Sequence, residues 1–172
     1  MRARNKKTAN DILRQYKSGY KDFRNIIVEA QDLSKQLLAQ ANFEGANLMG
    51  CNFNKSILKH ANFSATNLRE ADLRGADLSK ANLKGADLRG AAMRNVNLSG
   101  ADLRWTNLEG VNLSGSNLSG ANFDGANLKN ANLKDTDTGK FWWKTNLDEA
   151  KLEGTVLPDG TVFGQVTADS NE

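Results

Sequence analysis

Few residues in this chain could carry chemistry. His60 is the only histidine and Cys51 the only cysteine, which excludes a metal cluster with paired imidazoles and an internal disulfide. As a general base, His60 would need a nucleophile and an orienting group converging beside it in a pocket. Its neighbours Lys59 and Ala61 supply neither, so a solvated surface histidine is expected. Cys51 stands where the surrounding pattern usually has alanine, and is expected as a small buried hydrophobe rather than a reactive thiol. Asp135 and Asp137 open a stretch like that of a calcium loop, but Lys140 falls where the loop needs glycine and Asn146 where it needs a bidentate glutamate. Catalytic, metal and cofactor residues are therefore all predicted to be none.

Surface chemistry is a better prospect. Arg69, Arg74, Arg89 and Arg94, with Trp105 outward nearby in sequence, form a candidate basic patch with an aromatic, suited to phosphate or an acidic partner. Glu70, Asp72, Asp87 and Glu109 are interleaved with it, and 23 basic against 20 acidic residues leave a net charge of only +3. Nucleic acid is accordingly disfavoured as a partner, and a solubilising surface is the simpler reading. Leu37 and Ile57 form one apolar spot near the N-terminal end, and Phe141, Trp142 and Trp143 another near the C-terminal end. Each either seals an end of the core or is an interface for a partner or a second copy, so monomer and homodimer both stay open.

What must position these side chains is a repeat. Over residues 41–135 one five-residue unit recurs nineteen times without insertion: a small residue, Asn or Asp, Leu or Phe, then two polar or glycine residues. Ala81-Asn82-Leu83-Lys84-Gly85 is one copy. The spacing suits neither regular element, because five residues of helix turn about 140° from face to face and an odd step along a strand alternates faces. A chain that bends once per unit does satisfy it, with the small residue and the apolar centre both pointing inward. Four sides close a coil of twenty residues, and Phe23, Phe43, Phe63 and Phe123 are separated by multiples of twenty. Coils rising by about 4.8 Å can pair with those above and below, which makes an all-β solenoid. The Asn/Asp positions sit beside tight corners, where such side chains bond to nearby backbone.

The repeat A-N/D-L-x-x resembles the pentapeptide-repeat proteins across roughly two thirds of the chain. The resemblance implies a right-handed quadrilateral β-helix, here of about six to seven coils with a short N-terminal capping helix. The N-terminal helix and the Leu157-Pro158-Asp159-Gly160 ending resemble the cyanobacterial members, whose functions are mostly unassigned, with some regulatory. Family members that mimic a DNA duplex and act on gyrase carry a strongly acidic face, and this near-balanced composition speaks against that role.

The expected layout has a basic segment and capping helix at 1–20 and the β-helix at 21–138. An aromatic loop or insertion at 139–144, final repeats and a terminating turn at 145–160, and a tail at 161–172 complete it. Thr8 and Asp11 read as the start of the helix, with Ile12, Leu13 and Tyr16 as its apolar stripe. In residues 21–40 the inward small position holds Lys21, Ile26, Gln31 and Gln36, too large for an interior column. A distorted first coil, or a helix over roughly residues 29–40, is expected there. The basic N-terminus lacks a following apolar run, and no segment has the length of a membrane span. The chain is read as soluble and cytoplasmic, a non-enzymatic protein-interaction module with an unidentified protein partner and no membrane partner.

Overall fold

In most five-residue units the carbonyl of the apolar centre accepts a bond from the N–H three residues on, as in Ala46 N to Phe43 O at 3.0 Å and Ala81 N to Leu78 O at 3.0 Å. This closes a tight corner, and the second residue after the centre takes positive φ, from Ala30 at 51° to Gly90 at 73°. Glycine adopts that backbone without penalty, yet Ala65, Lys80 and Trp105 hold it too. The bend is imposed by the whole array and not only where glycine permits it. The computed structural model describes residues 6–139 and 146–164.

The Asn/Asp position of each unit forms a parallel bridge with its counterpart twenty residues on, from Asp22↔Asn42 and Ile27↔Asn47 through to Asn117↔Asp137. Five residues per side and twenty per turn make the coil four-sided. We number the sides by their first centres: one from Phe23, two from Val28, three from Leu33 and four from Leu38. Each side contributes a single bridged residue before the chain bends, so the sheets are columns of isolated bridges. Residues 21–40 follow the same bridging as the rest. The alternative helix is absent, and the expected distortion is confined to the corners: among the described residues, the amides of Ile26, Gln31 and Gln36 do not bond the carbonyls of Phe23, Val28 and Leu33 as their counterparts in most later units do.

Centres and small residues fill the axis. Among the buried side chains are Phe43, Leu48, Phe53 and Leu58 at the centres, with Ala41, Ala46 and Cys51 between them. Phe23, Phe43 and Phe63 stack along side one with centroids 5.4 and 5.2 Å apart, while Phe53 meets Phe43 and Phe63 edge-on. Where the small residue is Ser or Thr, its hydroxyl donates to a carbonyl in the column: Ser56 to Leu33 O at 2.7 Å, Thr66 to Phe43 O at 2.8 Å, Ser116 to Met93 O at 3.0 Å. The cost of burying a hydroxyl is thereby offset.

Both ends are closed. Helix α1, Ala9–Lys17, starts in a capping box between Thr8 and Asp11, buries Ile12, and packs Ala9, Leu13 and Tyr16 against the core. Lys6 bridges Ile27 just before it. At the other end the interval lengthens from twenty to twenty-four: Asn122↔Asn146, Asn127↔Lys151 and Asn132↔Val156. The register break is thus a four-residue insertion between sides four and one. The chain then turns at Pro158-Asp159-Gly160 and folds back, Val162 pairing antiparallel with Val156 and Phe163 N–H donating to Thr155 O at 2.8 Å. Residues 161–163 therefore belong to the closing hairpin and not to a tail, because they cover the last parallel edge.

Candidate interaction surface

The outward groups divide into those consumed by the coil and those left over. The Asn/Asp position is consumed. Its side-chain oxygen accepts the backbone N–H two residues on, as in Glu44 N to Asn42 Oδ1 at 3.1 Å and Ser64 N to Asn62 Oδ1 at 3.1 Å. Its amide donates down the column, Asn62 to Asn42 at 3.1 Å and Asn82 to Asn62 at 3.0 Å. This ladder is structural, as its place beside a corner implies.

Four arginines are tied as well. Wherever Asp precedes the centre and Arg follows it, the guanidinium folds back onto the carboxylate with two bonds: Arg24 on Asp22, Arg74 on Asp72, Arg89 on Asp87 and Arg104 on Asp102. These bonds hold the Asp72, Asp87 and Asp102 carboxyls below their ordinary value, the bond to the arginine being the leading cause and burial opposing it. Arg69 follows Asn67 and Arg94 follows Ala92, and among the described residues neither has an ion-pair partner. Of the four predicted patch arginines, Arg74 and Arg89 are thus partly neutralised and Arg69 and Arg94 are not. The signal was present in the sequence as the residue two positions before each arginine.

The patch is also divided. Arg69 and Arg89 share the corner after side two, Arg74 and Arg94 the corner after side three, and Trp105 lies at the corner after side one, diagonally across the coil from Arg74 and Arg94. Trp105 is 54% exposed. Its ring lies over Gly125, where any Cβ would collide with it, and Lys84 Nζ sits 4.5 Å from the ring centroid. The tryptophan and those two arginines do not form one surface.

On the corner after side three, Lys55, Arg74 and Arg94 line an open cleft of about 480 Å³ with Asn54, Gly75 and Asn95. Lys55 lies across Gly75, whose hydrogen leaves room for the lysine stem, and Asn54 Nδ2 donates to Arg74 O at 2.9 Å. Near the N-terminal end, Leu37 and Ile57 bridge each other on side four and are 59% and 43% exposed. They do not seal the core, which is the work of α1 and its Ile12. Leu13, Tyr16, Lys17, Gln36 and Leu37 line a cleft of about 360 Å³ there. Phe141, Trp142 and Trp143 lie outside the described residues.

His60 is exposed at the corner after side four. Cys51 is buried, its thiol donates to Val28 O at 2.9 Å, and burial pushes its pKa up to about 11, so the thiol stays protonated. Among the described residues no group of His, Cys, Asp and Glu is arranged to hold a metal ion, and no helix is long and apolar enough to cross a membrane.

Parallel bridging at an interval of twenty residues from Asp22 to Asp137 around an apolar axis defines a four-sided β-solenoid. The profile described as pentapeptide repeats (8 copies) matches residues 32–64, 56–95 and 97–135, more than half of the sequence, and the chain belongs to the pentapeptide-repeat family. No curated protein gives a significant match. Among solved structures, the chain is similar to HetL, a pentapeptide repeat protein involved in heterocyst differentiation regulation from the cyanobacterium Nostoc sp., with 25% identity over 91% of this chain and 99% of that one and a TM-score of 0.27. It is similar to a pentapeptide repeat protein of the Arabidopsis thaliana thylakoid lumen, at 31% identity over 62% and 71% with a TM-score of 0.36. A trypsin-treated form of QnrB1, a plasmid-mediated fluoroquinolone resistance protein, gives 21% identity over 87% and 86% with a TM-score of 0.45.

Proposed function

We propose that this chain is a non-enzymatic interaction module: a rigid right-handed rod of about six to seven coils, capped at its N-terminus by α1, whose outward corners bind another protein in the cytoplasm. The observation that carries the proposal is the division of labour among side chains. Centres and small residues are spent on the axis and the Asn/Asp ladder on the corners, which leaves single outward side chains such as Lys55, Arg94, Leu37 and Ile57 for recognition. Such side chains are spread along a rod and do not converge on a reacting atom, as catalysis requires. The rod acts as a monomer or a homodimer.

Chemical crosslinking of the tagged full chain in a native lysate, read by mass spectrometry, tests this. A protein crosslinked reproducibly through corner residues is the expected result. Turnover of a small molecule by the purified chain, with no crosslinked protein, would overturn it. A gyrase-directed role is the weaker reading because basic residues number 23 and acidic 20, so no excess of acid exists to imitate a duplex. A purified supercoiling assay is expected to be unchanged by this chain.

A further inference from the structure

The corner after side three differs from the others in carrying one cation on each of four successive coils: Lys35, Lys55, Arg74 and Arg94. Backbone bonds fix this order, with Lys35 N donating to Asn54 O at 2.8 Å, Lys55 N to Arg74 O at 2.9 Å and Gly75 N to Arg94 O at 3.1 Å. With a rise of about 4.8 Å per coil, the four cations span about 14 Å along the rod. Asp72 neutralises Arg74, and Asp32 lies near enough to Lys35 to feel its charge. Among the described residues Lys55 and Arg94 have no ion-pair partner, and they face the same cleft. Farther along, the corner turns mixed, with Lys134 beside Asp135 and then Asp159. The corner after side two alternates in sign instead, with Glu29, Arg69, Glu70, Arg89 and Glu109.

We infer that this ridge is a docking site for an extended acidic segment of a protein partner, whose carboxylates bridge Lys55 and Arg94. The inference rests on the interaction-module reading above and names the partner's chemistry. Lys55 and Arg94 are two coils apart, about 9.6 Å, and an extended chain rising about 3.3 Å per residue places acidic side chains two or three positions apart within reach of both. The guanidinium of Arg94 offers parallel N–H donors that match a carboxylate, and the Asn54 and Asn95 side chains at the rim add polar partners. Single-stranded nucleic acid fits less well, because it binds through aromatic platforms beside a basic groove and Trp105 is at the diagonal corner.

The test is fluorescence anisotropy with a labelled ten-residue Glu-rich peptide and, in a parallel arm, a labelled ten-nucleotide single strand, at low and moderate salt. The inference expects saturable peptide binding that weakens with salt and tighter binding of the peptide than of the oligonucleotide. Lys55→Glu with Arg94→Glu should weaken it more than tenfold, while Arg104→Ala at the corner after side one changes it less than twofold. Thermal melts matching those of the unsubstituted chain show that the variants fold. No peptide binding, binding insensitive to the double substitution, or preference for the oligonucleotide would each overturn the inference. If the double variant still crosslinks the same protein from lysate through other corners, the ridge is refuted while the interaction-module reading stands.

Discussion

The first coil, residues 21–40, and the coil at residues 61–80 follow one five-residue frame but place different side chains on the axis. The inner coil has Ala61, Thr66, Ala71 and Ala76, all buried. The first has Lys21, Ile26, Gln31 and Gln36, of which only Ile26 is buried. The bridging is unchanged, since Asp22, Ile27, Asp32 and Leu37 bridge forward like later units, although the corners after Phe23, Val28 and Leu33 lack the bond to the centre carbonyl. What differs is the layer beneath. An inner coil rests on another coil about 4.8 Å away, whereas the first rests on α1, which leaves room at its rim. There Lys21 Nζ donates to Gln40 Oε1 at 2.8 Å, Ala9 N donates to Gln31 Oε1 at 3.3 Å and Gln36 Nε2 donates to Ser34 O at 3.0 Å. The demand for small residues comes mainly from the neighbouring coil, since parallel bridging persists where they are replaced.

The sharpest way to break this comparison is to exchange residues of one column. Ala61→Lys puts into the interior the side chain that position 21 tolerates, and an unpaired buried charge in a packed column is expected to cost more than about 4 kcal/mol. Lys21→Ala is expected to change stability by about 0.5 kcal/mol or less. Urea unfolding of the two variants checks the pair, and equal effects would refute the role of the neighbouring layer. Next in size, Phe43→Ala removes the ring stacked between Phe23 and Phe63 and is expected to cost about 3–5 kcal/mol. Leu152→Ala, at the half-buried far end, should cost less in the same measurement.

Thr8→Ala removes the hydroxyl that accepts from Asp11 N–H and is expected to cost about 1 kcal/mol. Hydrogen exchange should localise the loss to α1 and the first coil, leaving amides near Leu88 protected. The smallest effect is titration of the tied aspartates. Asp72, Asp87 and Asp102 have folded pKa values below their ordinary one. Their contribution is therefore complete above the unfolded carboxylate range, about pH 5, and is lost as pH falls through the lowered folded values. A melting temperature flat from pH 8 to 5 and declining below about pH 4 is expected. Replacing all three aspartates by Asn should make that decline shallower.

The same comparison explains what was legible in the sequence. The five-residue interval and the spacing of Phe23, Phe43 and Phe63 specify sides, corners and the stacked column, because each buried position repeats the same environment. In residues 21–40 the expected distortion reaches the corner bonds and not the bridges, since the size of Lys21 and Gln31 matters most against a coil that is not there. The hairpin made by residues 161–163 carries no repeat and was invisible to periodicity. On the surface, the spacing of twenty placed Arg69 under Arg89 and Arg74 under Arg94. It took the Asp or its absence two residues earlier to separate tied arginines from free ones. Trp105 is close to the arginines in sequence, but its own position within the twenty puts it diagonally across from Arg74 and Arg94 and one corner away from Arg69 and Arg89.

The coil itself is tested most directly by the distance between Ser34 and Ser114, which occupy one corner column four coils apart. With spin labels on Ser34→Cys and Ser114→Cys, and Cys51 shielded in the core, dipolar spectroscopy should give a separation near 19 Å, four rises of about 4.8 Å. A separation well beyond about 30 Å, or a broad distribution without a peak, would contradict a chain that returns to the same corner every twenty residues.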